Sequence, residues 1–154
     1  MKFRINAAIV GSTGYTGIEL IRLLNFHKKV EIKYLISRSN YGKKISDYYP
    51  GLNFKNYPKL VKFSQVNWNE IDIIFLCLPS GESKKIIVKI PKNIFVIDLS
   101  NDFRLNSLTT GKWIYGIADH LGDFIDYKKN EKFEINISNP GCYATSVLSP
   151  LIPL

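Results

Sequence analysis

A glycine-rich turn between an apolar strand and an amphipathic helix constrains the fold of this chain more than any other feature. The segment FRINAAIV predicts a short buried strand, and GSTGYTG follows it directly, with glycines at positions 11, 14 and 17. The next run, IELIRLLNF, has its apolar residues on one face of a helix. VEIKYLI then predicts a second strand. This order of elements predicts a βαβ unit with parallel strands.

The rest of the chain continues to alternate between strands and helices. IDIIFLCLP, NIFVIDLS and EINIS predict three further strands, and SGESKKIIVKI predicts a helix after the first of them. Residues 41–69 are expected to be irregular apart from a short strand near Leu60–Phe63, and residues 101–130 to form an extended excursion with turns. We therefore predict an α/β fold of the Rossmann type, with a doubly wound, mostly parallel sheet and flanking helices.

The glycine turn has the spacing with which proteins bind the pyrophosphate of a dinucleotide. In such turns the first glycine permits the tight bend, the second lets backbone N–H groups approach the anion, and the third lets helix and strand pack closely. The anion lies at the positive end of the helix dipole. A tight turn without a ligand is the alternative. We predict that residues 1–154 form an NAD(P)-binding domain, whose turn binds the cofactor through Gly11, Ser12, Thr13, Gly14, Tyr15, Thr16 and Gly17.

The end of the second strand indicates which dinucleotide binds. Sites for NAD carry an acidic residue there, which binds the ribose 2′-hydroxyl. In this chain Glu31 lies at the beginning of VEIKYLI, whereas Ser37, Arg38 and Ser39 follow its end. An arginine between two hydroxyl groups suits the 2′-phosphate of NADP, which takes charge-assisted hydrogen bonds. The sequence therefore favours NADP(H) over NAD, with these last three residues as ligands.

The next predicted strand also ends at a ligand-binding edge. In open α/β sheets, ligands lie over the carboxyl ends of the strands. Leu78, Pro79 and Ser80 end the run IDIIFLCLPS and are therefore predicted to border the cofactor, the alternative being an ordinary turn. Cys77, inside the apolar run, is predicted to be a small core residue.

A second cysteine follows the last predicted strand, in NPGCYATS. Cys142 is predicted to lie at a helix N-terminus, where the dipole and free N–H groups stabilise a thiolate. Taken alone, a Gly-Cys pair before a helix is more often structural. Beside a nucleotide-binding domain, however, a thiolate can attack a carbonyl and form a thioester, which a nicotinamide hydride can reduce. No disulfide framework and no metal site are predicted.

Composition and charge narrow the range of partners. The chain has 21 Lys and Arg against 13 Asp and Glu, a net charge of +8. Its Lys pairs are scattered rather than gathered into one basic run, so nucleic acid is not the predicted partner. The surplus is compatible with an anionic small-molecule substrate. Because no apolar run reaches the roughly 20 residues that cross a bilayer and no signal-peptide pattern is visible, we expect a cytoplasmic protein without a membrane partner.

Six motifs occur in an order that resembles a known family: GSTGYTG, SRSNYGKKISDYYPGL, FLCLPSG, VIDLSNDFRL, WIYGIADH and NPGCYATS. Together they resemble the N-terminal domain of the N-acetyl-gamma-glutamyl-phosphate reductases, within the semialdehyde dehydrogenase family. The resemblance covers essentially the whole chain, and DLSNDFR and NPGCYAT are its specific parts. The chain departs from the family at YGIADH, where Asp119 stands for a longer acid and His120 is expected to be a surface residue.

The resemblance implies a two-step reduction of an acyl phosphate. Cys142 would attack the gamma-carbonyl of N-acetyl-gamma-glutamyl phosphate and expel phosphate, and NADPH would reduce the thioester to N-acetylglutamate 5-semialdehyde, a step of arginine biosynthesis. Arg104 would hold the substrate phosphate, the alternative being a salt-bridged loop residue. Asn139 would either orient the substrate or shape the turn. This chemistry requires the Cys142 sulfur to lie within reach of a nicotinamide whose dinucleotide is held by the glycine turn.

The resemblance also implies a substrate and dimerisation domain beyond this chain, carrying the family's base histidine. We therefore expect a C-terminally truncated or split gene product, or a fragmentary sequence, and a chain that alone turns over poorly or not at all. The full-length family is expected to form homo-oligomers, or a separate chain would supply the missing domain. Two alternatives remain open: a non-catalytic dinucleotide-binding module, and a related aspartate-semialdehyde or N-acetyl-aminoadipyl-phosphate reductase. The reactivity of Cys142 distinguishes the module from the enzyme.

Overall fold

The computed structural model describes residues 4–52, 56–105, 113–116 and 136–151. The chain divides into two compact units, Met1–Leu78 and Pro79–Leu154. Seven strands and three α-helices lie in the described ranges. The strands are β1 (Ile5–Val10), β2 (Val30–Ile36), β3 (Leu60–Val61), β4 (Ile73–Leu76), β5 (Phe95–Asp98), β6 (Trp113–Tyr115) and β7 (Asn136–Ser138), and the helices are α1 (Tyr15–Asn25), α2 (Ser83–Ile87) and α3 (Cys142–Leu151).

The first unit contains four parallel strands in the order β3-β2-β1-β4. Val10, at the end of β1, is in register with Ile36 of β2 and with Leu76 of β4. Three strands therefore end at the same level, and the glycine turn leaves β1 at this edge. The centre of β1 is fully buried, as expected for a parallel strand covered on both faces.

Helix α1 packs on this unit through Gly17 and Ile21, its two buried residues. It begins within the glycine turn, earlier than the apolar run that starts at Ile18. The N–H of Ile18 donates to the carbonyl of Gly14 at 2.9 Å and closes the first turn. The buried glycine lets the start of the helix approach the strand edge closely, because it has no Cβ.

The connection between β2 and β4 is more regular than the sequence predicts. Its strand, β3, lies where one was expected, but four 3-10 turns surround it. Ile45 and Leu52 are 1% and 3% exposed, so their burial anchors the first two of these turns. Turns of three residues show no hydrophobic period, and the sequence pattern therefore missed them. The turns are Ile45–Asp47, Pro50–Leu52, Phe63–Gln65 and Trp68–Glu70.

The second unit contains three parallel strands in the order β5-β7-β6. The sequence did not predict β6, because WIY lies in the region that was expected to be an excursion with turns. Trp113 of β6 is buried and stacks on Phe103, with ring centroids 4.0 Å apart. This three-residue strand therefore depends on aromatic packing and on its pairing with β7, and it leaves no local pattern in the sequence.

Two predicted elements are shorter in the structure. Strand β4 ends at Leu76, so the prediction that Cys77 lies in the buried strand is wrong: it is half-buried and follows the strand. The backbone N–H of Cys77 still donates to the carbonyl of Val10 at 2.9 Å, and its own carbonyl lies beside Gly11, where the chain leaves β1. Helix α2 begins only at Ser83, since Gly81 has a φ of +85°, which a right-handed helix excludes.

Candidate functional site

The protein itself requires glycine at two positions of the turn that follows β1. Gly11 has a φ of +78°, and a Cβ there would lie 2.9 Å from the carbonyl carbon of Cys77. A Cβ on the buried Gly17 would lie 2.8 Å from the Cα of Ser12. Such contacts are closer than packed atoms tolerate, so both glycines are needed to bring β1, β4 and α1 together.

Gly14 differs from these two glycines, because the packing of the protein does not require it. Its φ of −84° and ψ of 163° suit any residue, and a Cβ would meet, among the described residues, only the Gly11 carbonyl oxygen at 3.4 Å. Gly14 is the N-cap of α1, whose first N–H groups have no acceptors within the helix. A bare backbone at the positive end of a helix dipole fits the approach of a phosphate group.

The side chains of the turn differ in what they offer a ligand. Ser12 is fully buried and donates to the Ile36 carbonyl at 3.1 Å, so it ties β1 to β2 and offers a ligand only its backbone. Thr13 is half-buried, with its Oγ1 3.4 Å from the hydroxyl oxygen of Ser37. Tyr15 is 91% exposed and Thr16 is also exposed.

The residues after β2 form a turn beside this glycine loop. Ser37 is buried, and its hydroxyl accepts a hydrogen bond from the backbone N–H of Asn40 at 3.4 Å. Arg38 and Ser39 lie between these two residues and are exposed. The contact between Ser37 and Thr13 therefore brings the predicted 2′-phosphate residues and the predicted pyrophosphate turn to one edge.

The acidic residue of β2 lies at the opposite end of the strand. Glu31 is held by Lys33 at 2.9 Å and by Arg4 at 3.4 Å. These hydrogen bonds, that of Lys33 first, lower the pKa of the Glu31 carboxyl. The carboxyl end of β2, where an NAD site would place an acid, instead leads into Ser37 and Arg38.

The residues that follow β4 are divided between the two units. Leu78 is half-buried and belongs to the first unit, whereas Pro79 and Ser80 are exposed and belong to the second. The carbonyl of Pro79 accepts the N–H of Glu82 at 3.2 Å, which forms the turn into α2. The two exposed residues are accessible to a ligand within their own unit.

An acidic cluster at the end of β5 was missed by the sequence reasoning. Asp102, in DLSNDFR, is 8% exposed. Its two carboxylate oxygens accept the backbone N–H groups of Gly81 at 2.6 Å and of Lys84 at 3.1 Å. One carboxylate therefore fixes the turn that begins α2. The sequence did contain a signal: Asp98 lies near the end of a predicted strand, and Asp102 follows it by four residues.

Asp98 supports the same turn from inside the protein. It is fully buried and accepts the hydroxyl groups of Ser83 and Ser100, each at 2.7 Å. The Ser100 hydroxyl in turn accepts the N–H of Asp102 at 3.1 Å. A buried carboxylate needs such partners, so this network makes the segment after β5 a fixed platform.

Arg104 lies at the turn that precedes the second cysteine. Its Nε donates to the carbonyl of Asn139 at 3.1 Å and its Nη2 to the carbonyl of Leu99 at 3.2 Å. Its Nη1 lies 2.6 Å from the position that a Cβ on Gly141 would take. The guanidinium thus bridges two backbone carbonyls and puts a positive charge beside the Gly141–Cys142 peptide.

Cys142 is the first residue of α3 and is exposed. The preceding Asn139 donates its backbone N–H to the carbonyl of Asp98 at 2.8 Å and its side-chain amide to the carbonyl of Pro140 at 3.0 Å. The carbonyl of Gly141 accepts the N–H of Thr145 at 2.9 Å, which closes the first helical turn. The second unit therefore gathers Arg104, Asn139 and Cys142 at one corner.

Other predictions concern residues or groups away from these two sites. Asp119 and His120 lie outside the described residues. In the ranges that the structure describes, His, Cys, Asp and Glu form no group of three that could hold a metal ion. In the same ranges, no helix combines the length and the apolar character that crossing a membrane requires.

Comparison with known proteins identifies the fold. Residues 6–126 match the family model described as semialdehyde dehydrogenase, NAD binding domain. Two solved structures resemble the chain with a TM-score of 0.71 and 20% identity: aspartate semialdehyde dehydrogenase II from Vibrio cholerae, complexed with ASA, and aspartate semialdehyde dehydrogenase with NADP from Candida albicans. Each likeness covers 97% of this chain and 46% of that one. The predicted Rossmann-type α/β fold is confirmed.

Curated relatives are similar over nearly the whole chain. The N-acetyl-gamma-glutamyl-phosphate reductase of Ehrlichia ruminantium (strain Gardel) is 40% identical, over 100% of this chain and 47% of its own length. That of Thermoanaerobacter pseudethanolicus is 41% identical, over 97% of this chain and 46% of its own length. The chain thus spans about half the length of these relatives. The match to the NAD-binding model supports a nicotinamide dinucleotide as cofactor. The chain belongs to the semialdehyde dehydrogenase family, through its NAD-binding domain.

Proposed function

We propose that residues 1–154 are the NAD(P)-binding domain of an NADPH-dependent reductase that acts on N-acetyl-gamma-glutamyl phosphate. The observation that carries this proposal is the exposed Cys142 at the first residue of α3, in a chain of the semialdehyde dehydrogenase family. The names of relatives that are 40% and 41% identical support the choice of substrate. The likeness to aspartate semialdehyde dehydrogenases, at 20% identity, supports the fold and not that substrate.

The proposed first step is acyl transfer to the cysteine. The Cys142 thiolate attacks the carbonyl carbon of the acyl phosphate, a C–S bond forms, and the C–O bond to phosphate breaks. Phosphate leaves with the electron pair of that bond, and the product on the protein is a thioester. When bound, the reduced nicotinamide supplies the hydride that converts the thioester into the semialdehyde.

Arg104 is proposed to assist this step through its charge. The guanidinium bonds to the carbonyls of Leu99 and Asn139, and it lies against Gly141, next to the nucleophile. A positive charge here attracts the phosphate of the substrate and stabilises it as a leaving group. Because the Asn139 amide donates to the adjacent Pro140 carbonyl, we propose that this residue shapes the turn.

The residues of the first unit are proposed to hold NADPH. The turn around Gly14 and the first N–H groups of α1 would receive the pyrophosphate. Arg38 would bind the 2′-phosphate, since it is exposed at the carboxyl end of β2 and the strand has no acid there. Leu78, of the same unit, would border the cofactor at the end of β4, whereas the other two predicted ligands, Pro79 and Ser80, belong to the second unit.

The acylation step can be tested without steady-state turnover. We would incubate the purified chain with N-acetyl-gamma-glutamyl phosphate and measure the intact mass and the phosphate released. The expected result is an N-acetylglutamyl adduct on Cys142, with one phosphate released for each adduct. Addition of NADPH should then remove the adduct and yield the semialdehyde.

The second cysteine provides a matched control for this experiment. Cys77→Ser should retain the adduct, because that residue lies behind the glycine turn, whereas Cys142→Ser should lose it. A wild-type chain that the acyl phosphate does not modify, and whose Cys142 is also inert toward an alkylating reagent, would support a non-catalytic dinucleotide-binding module. An adduct that persists in Cys142→Ser would contradict the assigned nucleophile.

A further inference from the structure

Two adjacent tyrosines of the first unit are carried by one anchored turn. The backbone N–H groups of Tyr48 and Tyr49 both donate to the carbonyl of Ile45, at 3.1 and 3.0 Å. Ile45 begins the 3-10 turn Ile45–Asp47 and is 1% exposed. The base of the two side chains is therefore fixed in the core of the unit, and their hydroxyl groups reach two different partners.

The hydroxyl of Tyr49 holds the glycine turn. It donates to the backbone carbonyl of Thr13 at 3.1 Å. Thr13 directly precedes Gly14, the N-cap of α1, so this bond fixes the orientation of the Thr13–Gly14 peptide. The dipole of that peptide and the direction in which α1 begins both depend on this orientation.

The hydroxyl of Tyr48 holds the turn that carries Arg38. It donates to the side-chain carbonyl of Asn40 at 2.9 Å. Asn40 in turn donates its backbone N–H to the Ser37 hydroxyl at 3.4 Å, which closes the turn Ser37–Asn40 around Arg38. The ammonium of Lys43 lies over the Tyr48 ring, 5.4 Å from its centroid, and adds positive charge on this side.

We propose that Tyr48 and Tyr49 are positioning residues for the dinucleotide, each for a different phosphate group. Tyr49 fixes the glycine turn for the pyrophosphate, and Tyr48 fixes the Arg38 turn for the 2′-phosphate. This inference rests on the proposed binding of NADPH. It also assigns a role to the motif SRSNYGKKISDYYPGL, which otherwise contributes only Ser37, Arg38 and Ser39 to the proposed function.

The physical reason is preorganisation of the two anion sites. A turn whose peptides are already oriented loses less conformational entropy when a phosphate binds. The Thr13 carbonyl is also a partial negative charge, and a bond from Tyr49 keeps that charge in a fixed direction. Neither hydroxyl needs to touch the cofactor for this effect.

Because the two tyrosines have different roles, replacing each with Phe should weaken the binding of a different set of ligands. We would measure the dissociation constants of NADPH, NADH and adenosine 2′-monophosphate by titration calorimetry. For Tyr49→Phe, those of NADPH and NADH should rise roughly three- to tenfold, and that of adenosine 2′-monophosphate should not change. For Tyr48→Phe, those of NADPH and adenosine 2′-monophosphate should rise by a similar factor, and that of NADH should not change.

Tyr41→Phe is the matched control, because it removes the same atom from the same segment and retains the ring that lies 4.0 Å from the Lys62 ammonium. It should leave all three constants unchanged. An equal rise for all three ligands in both variants would indicate a merely structural role and overturn the inference, as would unchanged NADPH binding. A wild-type chain that binds no dinucleotide would instead overturn the proposed cofactor, and this inference with it.

Discussion

At the scale of single residues, the glycine turn separates what the fold requires from what a ligand would require. Gly11 and Gly17 have no room for a Cβ, whereas Gly14 has room and an ordinary backbone conformation. The three glycines look alike in the sequence, but packing requires two of them, whereas only a ligand would require Gly14. Sequence alone suggests these roles but cannot separate them, because the distances belong to the folded chain.

This difference predicts opposite outcomes for two alanine variants. Gly14→Ala should change the free energy of unfolding by less than about 1 kcal/mol. It should weaken NADPH binding roughly tenfold, because the second glycine of such turns lets the backbone approach the pyrophosphate. Gly17→Ala should cost about 1–3 kcal/mol of stability, since its Cβ would lie 2.8 Å from the Ser12 Cα. Urea unfolding and NADPH titration would measure both. A destabilised Gly14→Ala that binds NADPH normally would contradict the assignment.

At the scale of elements, the strands of the first unit were the most predictable part of the molecule. VEIKYLI forms β2 with the predicted bounds, because its β-branched and aromatic residues favour a strand. Strand β6 and the four 3-10 turns were missed, since elements this short depend on contacts distant in sequence, such as Trp113 on Phe103. The acidic platform of Asp98 and Asp102 was missed for the same reason: its partners are backbone groups and serines of another element.

Two residues of the candidate site were also indicated by the sequence. Arg38 and Cys142 stood out because their chemistry follows from position, one at the end of a strand and one at the start of a helix. The bonds of Arg104 to the carbonyls of Leu99 and Asn139 leave no pattern in the sequence, because any residue supplies a backbone carbonyl. The contact of Tyr49 with Thr13 was hidden for the same reason.

A hydrogen bond between two elements of the first unit predicts a dependence of stability on pH. Tyr34 of β2 donates its hydroxyl to the Glu70 carboxylate at 2.5 Å. This bond is the largest cause that lowers the pKa of Glu70 from its ordinary 4.5, and the largest that raises the pKa of Tyr34 from 10.0. The bond stabilises the folded state fully between pH 4.5 and pH 10.0, where the unfolded chain would have an ionised carboxylate and a protonated phenol. It is lost as the pH falls through the lowered pKa of Glu70 or rises through the raised pKa of Tyr34.

Tyr34→Phe should therefore have a lower Tm than the wild type at pH 7, and the difference should shrink as the pH falls below 4.5 and through the lowered pKa of Glu70. Thermal unfolding followed by circular dichroism at a series of pH values would measure this. Tyr41→Phe, which removes a hydroxyl from the same unit, should differ from the wild type by an amount that does not follow this pH course. A Tm difference for Tyr34→Phe that does not change as the carboxylate is protonated would show that the hydroxyl acts through a partner other than Glu70, such as the Asn67 backbone.

At the scale of the whole molecule, most of the proposed cofactor ligands belong to one unit and the proposed nucleophile belongs to the other. The glycine turn and Ser37–Ser39 belong to Met1–Leu78, whereas Arg104 and Cys142 belong to Pro79–Leu154. The proposed binding of NADPH and the proposed acylation of Cys142 can therefore be measured one at a time. The net charge of +8 acts on both, since it attracts anionic ligands over the distance that salt does not screen.

The Tm of the protein in the presence of each dinucleotide tests whether Arg38 binds the 2′-phosphate of NADPH. A ligand stabilises the folded state by about 2.7 kcal/mol at 100 times its dissociation constant, so the shift in Tm reports affinity. NADPH should raise the Tm of the wild type more than NADH does. Arg38→Gln should lose a charge-assisted contact and weaken NADPH binding roughly 10- to 100-fold, without changing the Tm shift with NADH. Arg22→Gln is the matched control, because this exposed arginine of α1 pairs with Glu19 and its loss removes the same net charge. Equal losses in the two variants would reduce the NADPH preference to general charge attraction, whereas a loss confined to Arg38→Gln would make it a property of the turn after β2.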